Sequence, residues 1–371
     1  MITATQRAIK IASPVITEDE ISAVEEVLRS GELASGRWVK EFEQKFQEYN
    51  GTKYAVATSN GTTALHAAVG ALGLAPGSKV ITTGFTFIAS ANALLYNQLT
   101  PVFVDVDPVT FNIDTNAIRE ALVQDSSIKA VLVIHLYGHP CQIDAIRDLC
   151  DKFGVYLVED CAQAHGATFN GYMVGTLGDI ATYSFYPTKN MTTGEGGMIV
   201  TNNEAMYQKA KLLVNHGSPR RYHHELLGYN FRMTNIAAAM GICQLRKLEE
   251  RNEKRRQNAS TLTGGLQSLN WLQTPTEAEG ARSVYHQYTV RVPGSVRNSF
   301  VNYLTEKGIG SGVHYPTPVY VQPIYKEMGF GNVALPVTDL LCQEVVSLPV
   351  HPSLTAGDLE YVIKAINEFE G

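Results

Sequence analysis

From about residue 52 onward, short runs of β-branched and apolar residues alternate with longer helical stretches. No other feature constrains the fold as much, because strand–helix–strand alternation builds a parallel sheet covered by helices. Strands are expected at 54–58, 79–82, 100–104, 129–135, 155–159, 180–184 and 198–201, each short, apolar and mostly β-branched. Helices at 61–74, 88–97, 115–123, 143–153 and 203–215 supply the crossovers, with Pro76, Gly77 and Pro108 as punctuation. The expected fold class is therefore α/β, with seven strands in one large sheet.

The texture changes after residue 230. Residues 235–261 read as one long helix, apolar at Ile236, Ala239, Met240, Cys243 and Leu248 and then densely charged. A strand at 285–292, helices at 299–308 and 356–370 and a proline-rich loop at 315–325 make a smaller α+β unit. A chain of 371 residues, at roughly 150 per domain, suggests two domains. The expected division is 1–245, an N-terminal arm with the large domain, and 246–371, the small C-terminal domain. A helix at 18–30 precedes a Gly- and Ser-rich stretch, 31–36, that is free to lie over an active site.

Composition excludes several functions. Thirty Lys and Arg against 36 Asp and Glu give a net charge of −6, and without a long basic run a nucleic-acid surface is not expected. Five scattered cysteines with no Cys-x-x-Cys pair argue against a disulfide framework or a thiolate metal site, and fit a reducing cytoplasm. The first ten residues lack the apolar core of a signal peptide, and no apolar run approaches the roughly 18 residues that span a membrane. His135, His139, Asp160 and His165 form no helical His-x-x-x-His pair, so no metal site is expected.

Three segments carry chemistry. The strand ending in Val158-Glu159-Asp160-Cys161-Ala162-Gln163 puts acidic and amide side chains where ligands of open α/β sheets sit. Asp160 there can bind a metal, act as a base, neutralise a cationic ligand or cap a helix. The next strand runs through Ser184-Phe185-Tyr186-Pro187-Thr188 into Lys189, then a Gly-rich turn at 194–197. A lysine there forms a Schiff base if desolvation or neighbouring positive charge keeps its amine partly deprotonated. Ser59-Asn60-Gly61-Thr62-Thr63 opens an Ala-rich helix whose free N–H groups and dipole suit a phosphate. A phosphate anchor, an anion for a pyridine nitrogen and an amine for an aldehyde are what pyridoxal 5'-phosphate (PLP) requires.

The chain resembles the DegT/DnrJ/EryC1/StrS family of PLP-dependent sugar aminotransferases. The resemblance runs from Gly36-Arg37-Trp38-Val39 and Phe42-Glu43, through Glu159 to Gln163 and Ser184 to Lys189, to Gly228-Tyr229-Asn230-Phe231-Arg232-Met233. It implies the type I aminotransferase fold, with Lys189 as the Schiff-base lysine and Asp160 as partner of the pyridinium nitrogen. It further implies Gln163 on the cofactor's phenolic oxygen, and Thr62, Thr63 and Ser184, beside Gly61, on the phosphate. Phe87 fills the position of the stacking ring, and Asn230 reaches a partner subunit's phosphate, so a homodimer with shared sites is expected. The donor implied is an amino acid, glutamate, and the acceptor a nucleotide-linked keto sugar. Arg232, His314 and Tyr315 are the substrate candidates, with Asn215, His216, Gly217, Arg220 and Arg221 beside them. Cyclitol transamination and a non-catalytic regulatory role are the alternatives.

Overall fold

The structure, a computed structural model, describes residues 8–370. The first seven residues, on which part of the signal-peptide reading rests, lie outside the described residues, as does Gly371. The thirteen helices described are α1 (Glu18–Ser30), α2 (Arg37–Asn50), α3 (Gly61–Leu72), α4 (Ala89–Tyr96), α5 (Thr115–Gln124), α6 (Ile143–Phe153), α7 (Glu204–Val214), α8 (Asn235–Arg246), α9 (Leu248–Leu266), α10 (Gly294–Glu306), α11 (Pro323–Glu327), α12 (Pro336–Glu344) and α13 (Ala356–Asn367). The strands are β1 (Tyr54–Thr58), β2 (Lys79–Thr83), β3 (Thr100–Val104), β4 (Ile128–Ile134), β5 (Tyr156–Asp160), β6 (Thr168–Phe169), β7 (Tyr172–Met173), β8 (Ile180–Ser184), β9 (Gly197–Thr201), β10 (Ala281–Arg282), β11 (Tyr288–Arg291) and β12 (Val345–Leu348).

All seven expected strands pair in one sheet, in the order β1-β9-β8-β5-β4-β2-β3. Next to its central strand β5 runs the apolar strand β4, whose residues from Ala130 to Ile134 are buried on both faces, as a helix-covered parallel strand must be. Only β9 runs against its neighbours. A parallel return from β8 would need a helical crossover, and residues 185–196 hold none, so the chain doubles back. That helix-free return carries Lys189.

One face of the sheet packs on α3, whose Ala64, Ala67, Ala68 and Ala71 let the helix approach closely, and on α7. The other face packs on α2 and α8 through Phe42, Phe46, Tyr183, Phe185 and Met198. A separate core gathers the end of α9 with α10, α13, β11 and β12. Among the described residues no helix is long and apolar enough to cross a membrane.

Several expectations change. The single helix at 235–261 is two, parting at Lys247 (φ −102°, ψ 0°). Helix α8 packs on α1 and α2 whereas α9 reaches α13, and one straight axis cannot serve both faces. The strand expected at 285–292 shrinks to β11, since Tyr285 takes φ +42°. The expected loop 315–325 contains a 3-10 turn and the start of α11. The 31–36 stretch is tied to the start of α8, where the Asn235 amide donates to Glu32 O at 2.7 Å. Helix α2, the β6–β7–β10 sheet and β12, paired to β11, are additions to the expected elements.

Candidate active site

The anion cradle forms where β1 ends and α3 begins. Asn60 caps α3, its Oδ1 accepting from Thr63 N at 2.9 Å while its own N–H donates to the Thr63 hydroxyl at 3.1 Å. The Thr63 hydroxyl is thus part of the cap. The N–H groups of Gly61 and Thr62 have no acceptor within the helix and point out of its start. Ser184, the last residue of β8, stands against Gly61 so closely that a Cβ on Gly61 would fall 2.6 Å from the Ser184 Cβ.

Asp160 ends β5, beside β8, and is buried. The Ser90 hydroxyl, from α4, donates to its Oδ2 at 2.7 Å, and Ala162 N donates to its Oδ1 at 3.0 Å. Burial raises the Asp160 carboxyl above the usual carboxylate range, opposed by these two donors and by the Lys189 charge. One turn on, Gln163 Oε1 accepts from Tyr137 N at 2.7 Å and Nε2 donates to the Tyr315 hydroxyl at 3.1 Å. Gln163 thereby joins the sheet to the segment carrying His314 and Tyr315.

Lys189 lies in a turn closed by its own N–H to Tyr186 O at 2.9 Å. Burial holds its amine down to about 8, with the Asp160 charge pulling the other way. His165 and His314 near it are pressed down to about 3 and about 4, by burial first and then by the Lys189 charge. Both are uncharged at neutral pH. Phe87, just before α4, is 56% exposed, its ring 6.2 Å from that of Tyr315. A large apolar ring left open at the mouth of a polar cleft is suited to stack on a flat ligand.

The substrate candidates divide. His314 is seated by its Nδ1 on the Ser347 hydroxyl at 2.9 Å, with its backbone oxygen accepting from the Tyr137 hydroxyl. Arg232 Nη1 donates to Asn215 Oδ1 at 2.8 Å, at the foot of the hairpin that carries Arg220, Arg221, and an 83%-exposed Tyr222. Asn230 is exposed and bridges to Asn215.

Beneath Asp160 lies a buried group of metal-ligand type, His135, Glu159 and Cys161. Its atoms are already engaged. Glu159 accepts from Gly175 N at 2.7 Å and Leu177 N at 3.1 Å, and from His135 Nε2 at 2.9 Å, while His135 Nδ1 accepts from Cys141 N at 3.0 Å. This is scaffolding for the β5 end.

These features fit PLP. A desolvated lysine amine that makes no ion pair among the described residues, a helix start with unmet donors, a carboxylate sunk at a strand end and an open aromatic ring answer each part of that molecule. Ser90, Tyr137 and Ser347 are additions to the expected residues. Ser90 had a signal, lying one helical turn beyond Phe87; the other two are brought in by tertiary pairing alone.

Fold and site together define a PLP-dependent aminotransferase. The family model of the DegT/DnrJ/EryC1/StrS aminotransferase family matches residues 14–367, and the chain belongs to that family. It is 37% identical to GDP-perosamine synthase of Escherichia coli O157:H7, over 97% of this chain and 98% of the relative. It is 39% identical to a "pleiotropic regulatory protein" of Geobacillus stearothermophilus, over 93% of each. Among solved structures, DesV of S. venezuelae in complex with a ketimine intermediate superposes with a TM-score of 0.91 at 34% identity, covering 95% of this chain and 94% of that one.

Proposed function

We propose that this enzyme moves an amino group from an amino acid, glutamate, to the ketone carbon of a nucleotide-linked keto sugar. The observation that carries the reading is that Asp160, the α3 start and the turn of Lys189 all lie at or after the carboxyl ends of their strands, with the α3 start against Ser184 and the Lys189 amine feeling the Asp160 charge. When bound, PLP supplies an aldehyde for the lysine and a ring that spreads the electron pair left behind when a proton departs. Gly61, Thr62 and Ser184 hold its phosphate, with Thr63 shaping the cradle through its cap with Asn60, Phe87 covers its face and Gln163 meets its phenolic oxygen.

Asp160 does its work at the ring nitrogen. As an anion facing that atom it stabilises positive charge there, and Ser90 and Ala162 fix the direction of its lone pairs. Lys189 holds the cofactor and, once released, carries the proton from the substrate carbon. An amine near 8 suits both duties, because an appreciable neutral fraction exists at neutral pH.

The keto-sugar assignment is supported by the amino sugar in the name of the GDP-perosamine synthase relative and by Arg232, whose bridge to Thr58 sets it beside the α3 start. Arg232, Arg220 and Arg221 suit a diphosphate, and His314 with Tyr315 meets the sugar. Asn230, exposed here, reaches the partner's phosphate in a homodimer with shared sites, in the cytoplasm, and the chain divides at 245/246. The test is single turnover of the pyridoxamine-loaded enzyme against nucleotide keto sugars and free cyclitol ketones, followed by mass change of the acceptor. Amination of a cyclitol alone sinks the nucleotide-sugar reading. The regulatory name of the Geobacillus stearothermophilus relative makes a second outcome explicit: no turnover of any ketone by a PLP-loaded enzyme supports a non-catalytic role.

A further inference from the structure

Lys189 is followed at once by Asn190, a buried amide whose three hydrogen-bonding directions are all defined. Its Nδ2 donates to Asn252 Oδ1 at 2.8 Å and to Val284 O at 3.0 Å. Val284 O can only accept, so the nitrogen must face it and the amide cannot be turned over. That leaves Oδ1, an acceptor, 3.3 Å from Nδ1 of His286. Nδ1 therefore carries the proton, and a neutral His286 has its lone pair on Nε2.

The surroundings hold His286 in that state. Burial, followed by the charges of Lys189 and Arg255, keeps it far below the usual imidazole range. Arg255 is itself buried, makes no ion pair among the described residues, and donates from Nη1 to the backbone oxygens of Tyr285 and His286 at 3.2 Å each. Asn252 completes the chain by donating to His165 O at 2.7 Å. Three separate parts of the sequence, the β8–β9 return, α9 and the segment entering β11, thus meet on the residue after the lysine.

We propose that Asn190 and His286 are positioning residues for the Lys189 amine, with His286 acting as the neutral Nδ1–H tautomer. The pair fixes the backbone from which the lysine side chain springs and ties it to the segment leading into β11, so the amine and the His314 segment keep one relative placement. The inference rests on Lys189 as the cofactor lysine. It differs from that reading in naming what holds the amine in place.

Two substitutions separate a donor from mere filling. His286→Asn keeps an N–H donor close to the position of Nδ1, and His286→Leu keeps bulk without it. Each is compared with wild type as PLP-loaded protein, following the visible absorbance of the lysine-bound cofactor across pH, the rate of PLP release, and kcat and KM. His286→Leu is expected to displace the pH midpoint of the absorbance, speed PLP release roughly tenfold and lower kcat roughly tenfold with KM little changed, the size of one lost hydrogen bond to a buried partner. His286→Asn is expected to restore most of each. A folded His286→Leu with wild-type midpoint and release rate, or an Asn variant no better than Leu, overturns the proposal.

If His286→Leu does not fold, the tautomer decides on wild type. Nitrogen-15 NMR of labelled histidines should show His286 neutral and protonated on Nδ1 at neutral pH, and an Nε2–H form or an imidazolium overturns the assignment. Lys189→Ala serves as control. Loss of the lysine-bound absorbance there is expected, and its survival removes the Lys189 reading while the NMR result still judges His286.

Discussion

Gly61 opens α3 so close to Ser184 that a Cβ built on it would lie 2.6 Å from the Ser184 Cβ and 2.9 Å from its hydroxyl. Two effects of Gly61→Ala oppose each other. Alanine favours the helix by roughly 0.5–1 kcal/mol, whereas the contact forces Ser184 away from the helix start, an overpacking that costs about 1–3 kcal/mol. The collision wins and falls on the phosphate cradle. PLP affinity of Gly61→Ala is expected to drop about tenfold or more, with a modest fall in apoenzyme melting temperature, as read by equilibrium dialysis and thermal unfolding. Wild-type affinity places the phosphate elsewhere.

The sheet was legible because a strand buried on both faces has to be a short apolar run, as in β4, and a polar residue at its end has to face solvent or ligand. Asp160, Ser184 and Lys189 stood out for that reason. The break at Lys247 was not legible, because periodicity records which face of a helix is apolar but not which partner covers it. Helix α2 is legible, since Trp38, Val39, Phe42 and Phe46 recur at helical spacing. The pairing of Ser90 and of His286 is not legible, although Ser90 has its spacing from Phe87: their partners, Asp160 and Asn190, lie 70 and 96 residues away, and only the folded sheet brings them within reach.

Among the described residues Ser90 is the one side chain that donates to Asp160, and its removal tests how the carboxylate is kept charged. Burial raises Asp160 above its ordinary range and Ser90 pulls it back. Without the hydroxyl the anion facing the ring nitrogen is less stable. Ser90→Ala is expected to lower kcat about tenfold, the size of a lost hydrogen bond to a buried charge, with KM little altered. Asp160→Asn, which removes the charge itself, is expected to cost about a hundredfold or more. Steady-state kinetics decides, and a Ser90→Ala effect on KM alone moves the residue out of the mechanism.

Lys189 makes the apoenzyme's stability depend on alkaline pH. Its folded-state value, about 8, lies below the ordinary lysine value of 10.5, so the folded state binds fewer protons and the charged amine opposes folding. That penalty is fully present below pH 8 and fades as pH rises toward 10.5. Lys189→Met removes it. The apo variant is expected to be more stable than wild-type apoenzyme at neutral pH by on the order of 1–2 kcal/mol, discounted for partial exposure, with the difference shrinking above pH 8. Urea unfolding at several pH values measures it, and a pH-independent difference points to packing alone.

Glu20 of α1 is fully buried and titrates in the opposite sense. Burial alone would raise its carboxyl. It is nevertheless pulled down to about 2 because the Thr17 hydroxyl and N–H donate to it, the latter at 2.8 Å, and Lys247 stands 3.3 Å away. Gln244 donates to the same carboxylate at 2.9 Å and Arg251 lies at 3.8 Å. One buried anion therefore docks α1 against the joint between α8 and α9, where a continuous helix would have placed no bend. Glu20→Gln leaves two cations facing a neutral amide, and breaking a buried pair from one side costs about 3 kcal/mol or more. Since the folded value lies below the ordinary 4.5, the wild-type advantage is complete above pH 4.5 and lost as pH falls toward 2. Denaturant unfolding of both proteins at neutral and acid pH should show the gap closing on that descent. A gap that persists undiminished at the lowest pH assigns the cost to lost hydrogen-bond geometry, and the charge of Glu20 then plays no part in setting the bend.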